Sequence, residues 1–125
     1  MHDEHEASTG RVIGLAKAVH RILGPGLQER VYESALHYEL ESAGIESRRQ
    51  VPIEVIYRGT RMRVGFRVDL LVERNLPIEL KAVERLTDLH KAQLLSYLNL
   101  LRLKRGLLPN FNATPLRNGI RRVAR

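Results

Sequence analysis

The stretch "FRVDLLVERNLPIELKA", Phe66 to Ala82, limits what this chain can become more than any other. Two aliphatic runs flank the short polar segment around Arg74-Asn75, the pattern of two buried strands joined by a turn. Three charges nevertheless sit inside those runs: Asp69, Glu79 and Lys81. Side chains alternate faces along a strand, so Glu79 and Lys81 share one face while Ile78, Leu80 and Ala82 take the other. Asp69 shares its face with Arg67, Leu71 and Glu73. Antiparallel partners have a constant index sum. A sum of 148 sets Asp69 opposite Glu79, and 150 sets it opposite Lys81. Either keeps the three charges together, and either needs an odd-length turn near Arg74-Asn75-Leu76. Asn75 suits the left-handed conformation that such turns often require. One face of the hairpin belongs to a core, and the other is charged.

The rest of the chain supplies layers for that hairpin. Val12, Leu15, Ala16, Val19, Ile22 and Leu23 recur at helical spacing before Gly24-Pro25-Gly26 stops the helix. A second helix follows from Leu27, with Leu27, Val31, Ala35, Leu36 and Leu40 as its apolar face and Gly44 at its end. The period then changes to that of strands, with a turn at Tyr57-Arg58-Gly59-Thr60 and Pro52 marking an edge or a start. Thr87 or Asp88 caps a third helix, with Leu89, Ala92, Leu95, Leu98 and Leu101 inward, and "GIRRVA" reads as a last strand. The expected fold class is α/β of the α+β type, with helices against a central sheet. Residues 1–9 are expected as a flexible terminus and residues 10–125 as a single domain.

Composition narrows the chemistry. The chain has 125 residues and no cysteine, which excludes disulfides, thiolate nucleophiles and Cys-based zinc sites. A formal net charge of +7 and a pI of about 10.4 favour an anionic partner, with nucleic acid the commonest for a basic domain. No run of apolar residues is long enough to span a membrane, and the first ten residues lack a signal-peptide pattern. A cytoplasmic protein is expected. His20, His37 and His90 fall on three separate predicted helices, without ligand spacing. No serine stands in a nucleophile elbow. Aromatic residues make up only 5%, too few for a base-stacking platform, and Tyr57 and Phe66 read as strand packing.

Two carboxylates held together repel unless a cation sits between them. Lys81 neutralises part of that charge, and a hard divalent ion such as Mg²⁺ or Mn²⁺ neutralises more. Few protein ligands and several waters on such an ion are the usual arrangement for phosphate-ester chemistry. The bland alternative is an ion-pair ladder on a solvated face, worth under about 1 kcal/mol per exposed pair. Two further features point toward a site: Glu29 with Tyr32 in "GLQERVY", and Gln93 with Tyr97, four apart on one helical face.

Taken in order, "GLQERVY", "SRRQVPIEVIYRG", "GFRVDLLV", "IELKAVERL", "HKAQLLSYL" and "NGIRRV" resemble the GxxExxY proteins, a bacterial and archaeal family of the PD-(D/E)XK nuclease superfamily, over about residues 10–124. The resemblance implies a restriction-endonuclease-like core: a central mixed sheet with an antiparallel meander, flanked by helices. It implies Asp69 and Glu79 as metal ligands, with the Leu80 carbonyl as a third, and Lys81 as the catalytic lysine. Glu29 would match the helix glutamate of the RecB-like branch, and Gln93 and Tyr97 its Gln-x-x-x-Tyr element. Arg67 and Lys91 are the candidate phosphate contacts. The implied activity is Mg²⁺- or Mn²⁺-dependent hydrolysis of DNA phosphodiesters. The alternative is a catalytically inactive nucleic-acid- or partner-binding module on the same fold. Val68 stands where the superfamily signature has proline, and Pro109 implies that its strand is short or at an edge. No inserted element for gripping DNA is evident, so a homodimer or a protein partner is expected to assist.

Overall fold

Two helices lead the chain in the computed structural model, which describes residues 4–125: α1, Glu4–Leu23, and α2, Glu29–Ser42. α1 starts before the expected Arg11, and Thr9 is buried; residues 1–3 of the expected flexible terminus lie outside the described residues. Val12, Ala16 and Val19 are its buried stripe, while Ile22, placed inward from the sequence, is 76% exposed. Gly24 and Gly26 take positive φ between the helices, at 72° and 102°. Tyr32 secures this turn. Its hydroxyl donates to the Gly24 carbonyl at 2.6 Å and accepts from the Leu27 N–H at 3.0 Å, and its ring stacks on Phe111. Because Tyr32 turns inward, the buried stripe of α2 is Tyr32, Leu36 and Leu40, whereas Leu27 and Val31 stay exposed.

The strands are β1 (Ser47–Pro52), β2 (Val55–Tyr57), β3 (Thr60–Met62), β4 (Arg67–Val72), β5 (Leu76–Ile78), β6 (Arg105–Pro109) and β7 (Ile120–Ala124). Five form one sheet in the order β1-β4-β5-β6-β7. β1, β4 and β5 make the antiparallel meander; β6 joins β5 in parallel after the crossing helix α3, Asp88–Leu101, and β7 pairs antiparallel with β6. β6 is thus interior rather than at an edge. Pro109 is its last residue and still serves the sheet by accepting the Lys81 N–H. β2 and β3 do not join this sheet and form a two-stranded hairpin of their own.

α1 and α2 cover one sheet face, packing on Leu70, Val72, Leu76, Ile78, Leu80 and Leu107. On the other, Leu94, Tyr97 and Leu98 of α3 meet Ile53, Val68, Leu108 and Val123. A side chain at Gly106 would come within 3.0 Å of the Pro77 carbonyl and 3.3 Å of Leu94, so glycine there lets α3 approach the sheet. The inward stripe of α3 differs from the one expected: Leu89 is 76% exposed and Leu95 is exposed, while Leu94 and Tyr97 are buried. Leucines occur around the whole helix, so their spacing does not select a face; contact with Gly106 and Leu108 does. A capping box closes the N-terminus, with Thr87 accepting from the His90 N–H and the His90 ring accepting from the Thr87 N–H.

The central hairpin adopts the register with sum 148, pairing Leu70 with Ile78 and Val72 with Leu76. Its turn has left-handed residues at Glu73 and Arg74, with φ of 50° and 64°, rather than at Asn75. The Asn75 N–H instead closes the turn on the Val72 carbonyl at 3.0 Å. Among the described residues no helix is long and apolar enough to cross a membrane.

Candidate active site

Pairing between β4 and β5 stops at Leu70 and Ile78. One position further the strands fork, and two carboxylates take over the bonds of the ladder. The Asp69 N–H donates to Glu79 Oε1 at 3.0 Å, and the Leu80 N–H donates to Asp69 Oδ2 at 2.9 Å. Beyond the fork the chain stays with β6. Glu79 N–H donates to Leu107, Lys81 N–H to Pro109, and Phe111 N–H to the Lys81 carbonyl, at 2.7 to 3.0 Å. Successive residues of a strand send their backbone groups to opposite neighbours. With Glu79 and Lys81 committed to β6, the backbone of Leu80 faces the Asp69 side.

Three elements close around this fork. Glu29, the first residue of α2, accepts the Ala82 N–H on Oε2 at 3.1 Å. Tyr97 of α3 is buried on the face shared with the carboxylates and bonds to Gln93 one turn earlier. From β1 comes Gln50, opposite Asp69 between the pairs Arg49–Leu70 and Val51–Val68. Its φ of 51° breaks the strand locally, and its amide Nε2 donates to Glu33 Oε1 at 2.8 Å and to Asp69 Oδ1 at 3.3 Å. Glu33 is only 6% exposed and also takes Arg49 Nε at 3.0 Å. Arg67 is exposed and donates to the Gln50 carbonyl at 3.1 Å.

The electrostatics follow from this crowding. Burial chiefly raises the Glu79 pKa, with Asp69 adding repulsion and the Asp69 N–H and Lys81 opposing, so that it reaches about 7. Asp69 is also raised, first by burial, while the Leu80 N–H lowers it, Glu33 raises it, and Gln50 and Lys81 lower it. The Tyr97 phenol is raised by burial and then by the charges of Glu79 and Asp69. Two mutually repelling carboxylates, both still raised despite Lys81 and the backbone amides that oppose the repulsion, form a donor set that a cation would relieve. Among the described residues no three His, Cys, Asp or Glu side chains converge as a metal-binding group, and the carboxylates paired at this fork are Asp69 and Glu79. Mg²⁺ is commonly held by one or two carboxylates with several waters, and the pair fits that demand.

Of the residues singled out from the sequence, Asp69, Glu79, Lys81, Glu29, Gln93 and Tyr97 gather at the fork. Lys91 does not: it is exposed on α3, and among the described residues no side-chain bond ties it to the carboxylates. Glu33 and Gln50 went unnoticed. Glu33 lies four residues after Glu29, hence on the same helical face, and that spacing was the available signal. Gln50 had none short of the β1–β4 register.

The sequence matches the PD-(D/E)XK nuclease superfamily over residues 6–123, nearly its whole length. The chain belongs to that superfamily, and its five-stranded mixed sheet flanked by helices is the corresponding restriction-endonuclease-like α/β fold. No curated protein and no solved structure matches it.

Proposed function

We propose that this protein is a metal-dependent nuclease that hydrolyses DNA phosphodiester bonds at the β4–β5 fork, with residues 10–125 acting as one domain. Within the superfamily, the ordered motifs from "GLQERVY" to "NGIRRV" favour the GxxExxY family and the RecB-like branch. The observation that carries the reading is the pair of laced carboxylates, Asp69 and Glu79, with Lys81 next on the same strand face. Nucleases of this superfamily generally use divalent metals. Here Asp69, Glu79 and the Leu80 carbonyl would hold Mg²⁺ or Mn²⁺. When bound, such an ion polarises the phosphate and makes its water more acidic.

The remaining work falls to the chain. The Lys81 ammonium lowers the pKa of both carboxylates, so its charge lies within their field and is placed to orient the attacking water and offset charge on the phosphate. Glu29 anchors the segment just after Lys81 through the Ala82 N–H, which holds the lysine's backbone against α2. The Gln93–Tyr97 bond holds the phenol within the field of the carboxylates, where it would border the substrate phosphate. Arg67 and, further out, Lys91 supply cations for neighbouring phosphates.

Cleavage of a labelled DNA duplex in Mg²⁺, with and without chelator, tests the proposal. Metal-dependent nicking by the wild type that disappears in Lys81→Ala supports it. Nicking that survives that substitution would reject the assignment, and a wild type that binds DNA without cutting it would favour a binding module.

A further inference from the structure

The β2–β3 hairpin is an excursion from the sheet that packing does not explain. It leaves the meander between β1 and β4, closed at its base where the Ile53 N–H donates to the Phe66 carbonyl at 2.9 Å. Its strands pair only with each other. Tyr57 and Phe66, read from the sequence as strand packing, are 61% and 42% exposed. Between residues 54 and 67 stand four arginines, Arg58, Arg61, Arg63 and Arg67, and a single acid, Glu54, which pairs with Arg61. Arg58, Arg61 and Arg63 are all exposed.

The base of this hairpin abuts the fork. Phe66 lies 5.9 Å, centroid to centroid, from Tyr97, the phenol that senses Asp69 and Glu79, and Ile53 packs in the same cluster as Tyr97 and Val68. We propose that the β2–β3 hairpin is an arm that grips duplex nucleic acid, its arginines Arg58, Arg61 and Arg63 contacting backbone phosphates beyond the scissile one. The inference deepens the nuclease reading and rests on it for the position of the scissile strand.

Three observations select this occupant. Charge comes first: an exposed surface so rich in arginine complements a polyanion. Reach is the second. About five residues separate base from tip, and at about 3.3 Å per residue the arm extends about 16 Å. A groove of about 6 Å (minor) or about 12 Å (major) is narrower than that, so the tip can meet the second strand while the fork holds the first. The third is the fate of the aromatics. A single strand is gripped by a charged groove together with aromatic faces on which its bases stack. Of the two exposed rings here, Tyr57 shares its face with the Arg58 guanidinium at 5.8 Å and Phe66 packs beside Tyr97, so the hairpin offers more arginines than open stacking faces.

The test is fluorescence anisotropy of a labelled duplex of about 20 base pairs in chelator, titrated from about 50 to about 200 mM salt. The proteins are the wild type, the triple variant Arg58→Ala/Arg61→Ala/Arg63→Ala, and the control Lys104→Ala/Arg122→Ala from the opposite end of the sheet. Each lost phosphate contact removes about 0.9 from the slope of log affinity on log salt, so the triple variant should lose about 2 to 3 and the control nothing. An unchanged slope in the triple variant, an equal loss in the control, or the same loss seen on a single strand but not on the duplex would overturn the arm. Because binding is read without metal, the two readings fail separately. Arm-dependent binding with no cleavage in Mg²⁺ sinks the nuclease and spares the arm, whereas cleavage with an unchanged slope does the reverse.

Discussion

The two ends of the β4–β5 hairpin are built from opposite materials on one backbone. At the turn end, Leu70, Val72, Leu76 and Ile78 are buried, and the strands bond to each other in ordinary register. At the fork end, one residue away, the same strands part, and Asp69 and Glu79 receive backbone N–H groups in place of strand carbonyls. The first arrangement is stabilised by removing hydrocarbon from water. The second holds a buried Glu79 beside a half-buried Asp69 that repels it, and it persists because backbone amides satisfy both carboxylates. Such an arrangement costs stability, and under the proposed function the return is a place for a divalent cation.

The sharpest way to break this contrast is Lys81→Ala. If the fork is catalytic, turnover should fall about 10²- to 10⁴-fold while Mn²⁺ affinity is retained, read by single-turnover cleavage beside metal titration. Ile78→Ala probes the other end. It removes a fully buried side chain beside Leu70 and should cost about 2–5 kcal/mol in urea unfolding.

Titration separates the ends further. Glu79 rises from 4.5 to about 7 on folding, so the metal-free native state holds a proton that the unfolded chain releases. Its contribution to stability is therefore fullest below pH 4.5 and falls away as pH rises to about 7, by about 3 kcal/mol. Urea midpoints in chelator at pH 5 and pH 8 should show that fall in the wild type and a smaller one in Glu79→Gln. The smallest effect concerns Asp69. Asp69→Ala leaves the buried Leu80 N–H without its acceptor and should cost about 1–3 kcal/mol, whereas Asp69→Asn retains an acceptor oxygen and should cost less. Equal costs would mean that the carboxylate is not replacing the ladder.

Much of this was legible from residue order, and the exceptions have physical reasons. Alternation in "FRVDLLV" and "IELKA" marked the shared face of Asp69, Glu79 and Lys81, because a period of two is dictated by strand geometry alone. Helical faces were harder. In α3 the leucines lie all around the axis, and contacts remote in sequence, the clearance at Gly106 and packing on Leu108 among them, decide which side meets the sheet. In α2 the inward turn of Tyr32 depends on hydrogen bonds to the Gly24–Leu27 turn, which spacing does not reveal. Gln50 escaped notice because a left-handed residue inside a strand leaves no pattern in the sequence. Alternation marks β2 and β3 as a strand pair, but it resembles that of any strand pair, and whether the pair joins the sheet depends on contacts it does not make.

The most direct measurement is calorimetric titration of Mg²⁺ and Mn²⁺ into the wild type and Asp69→Asn at pH 8, where Glu79 is ionised. Binding of a divalent ion to the wild type, lost or severely weakened in the folded Asp69→Asn variant, is the predicted result. Equal binding by the two proteins, or none by a folded wild type, would contradict the claim that the forked carboxylates are a metal site.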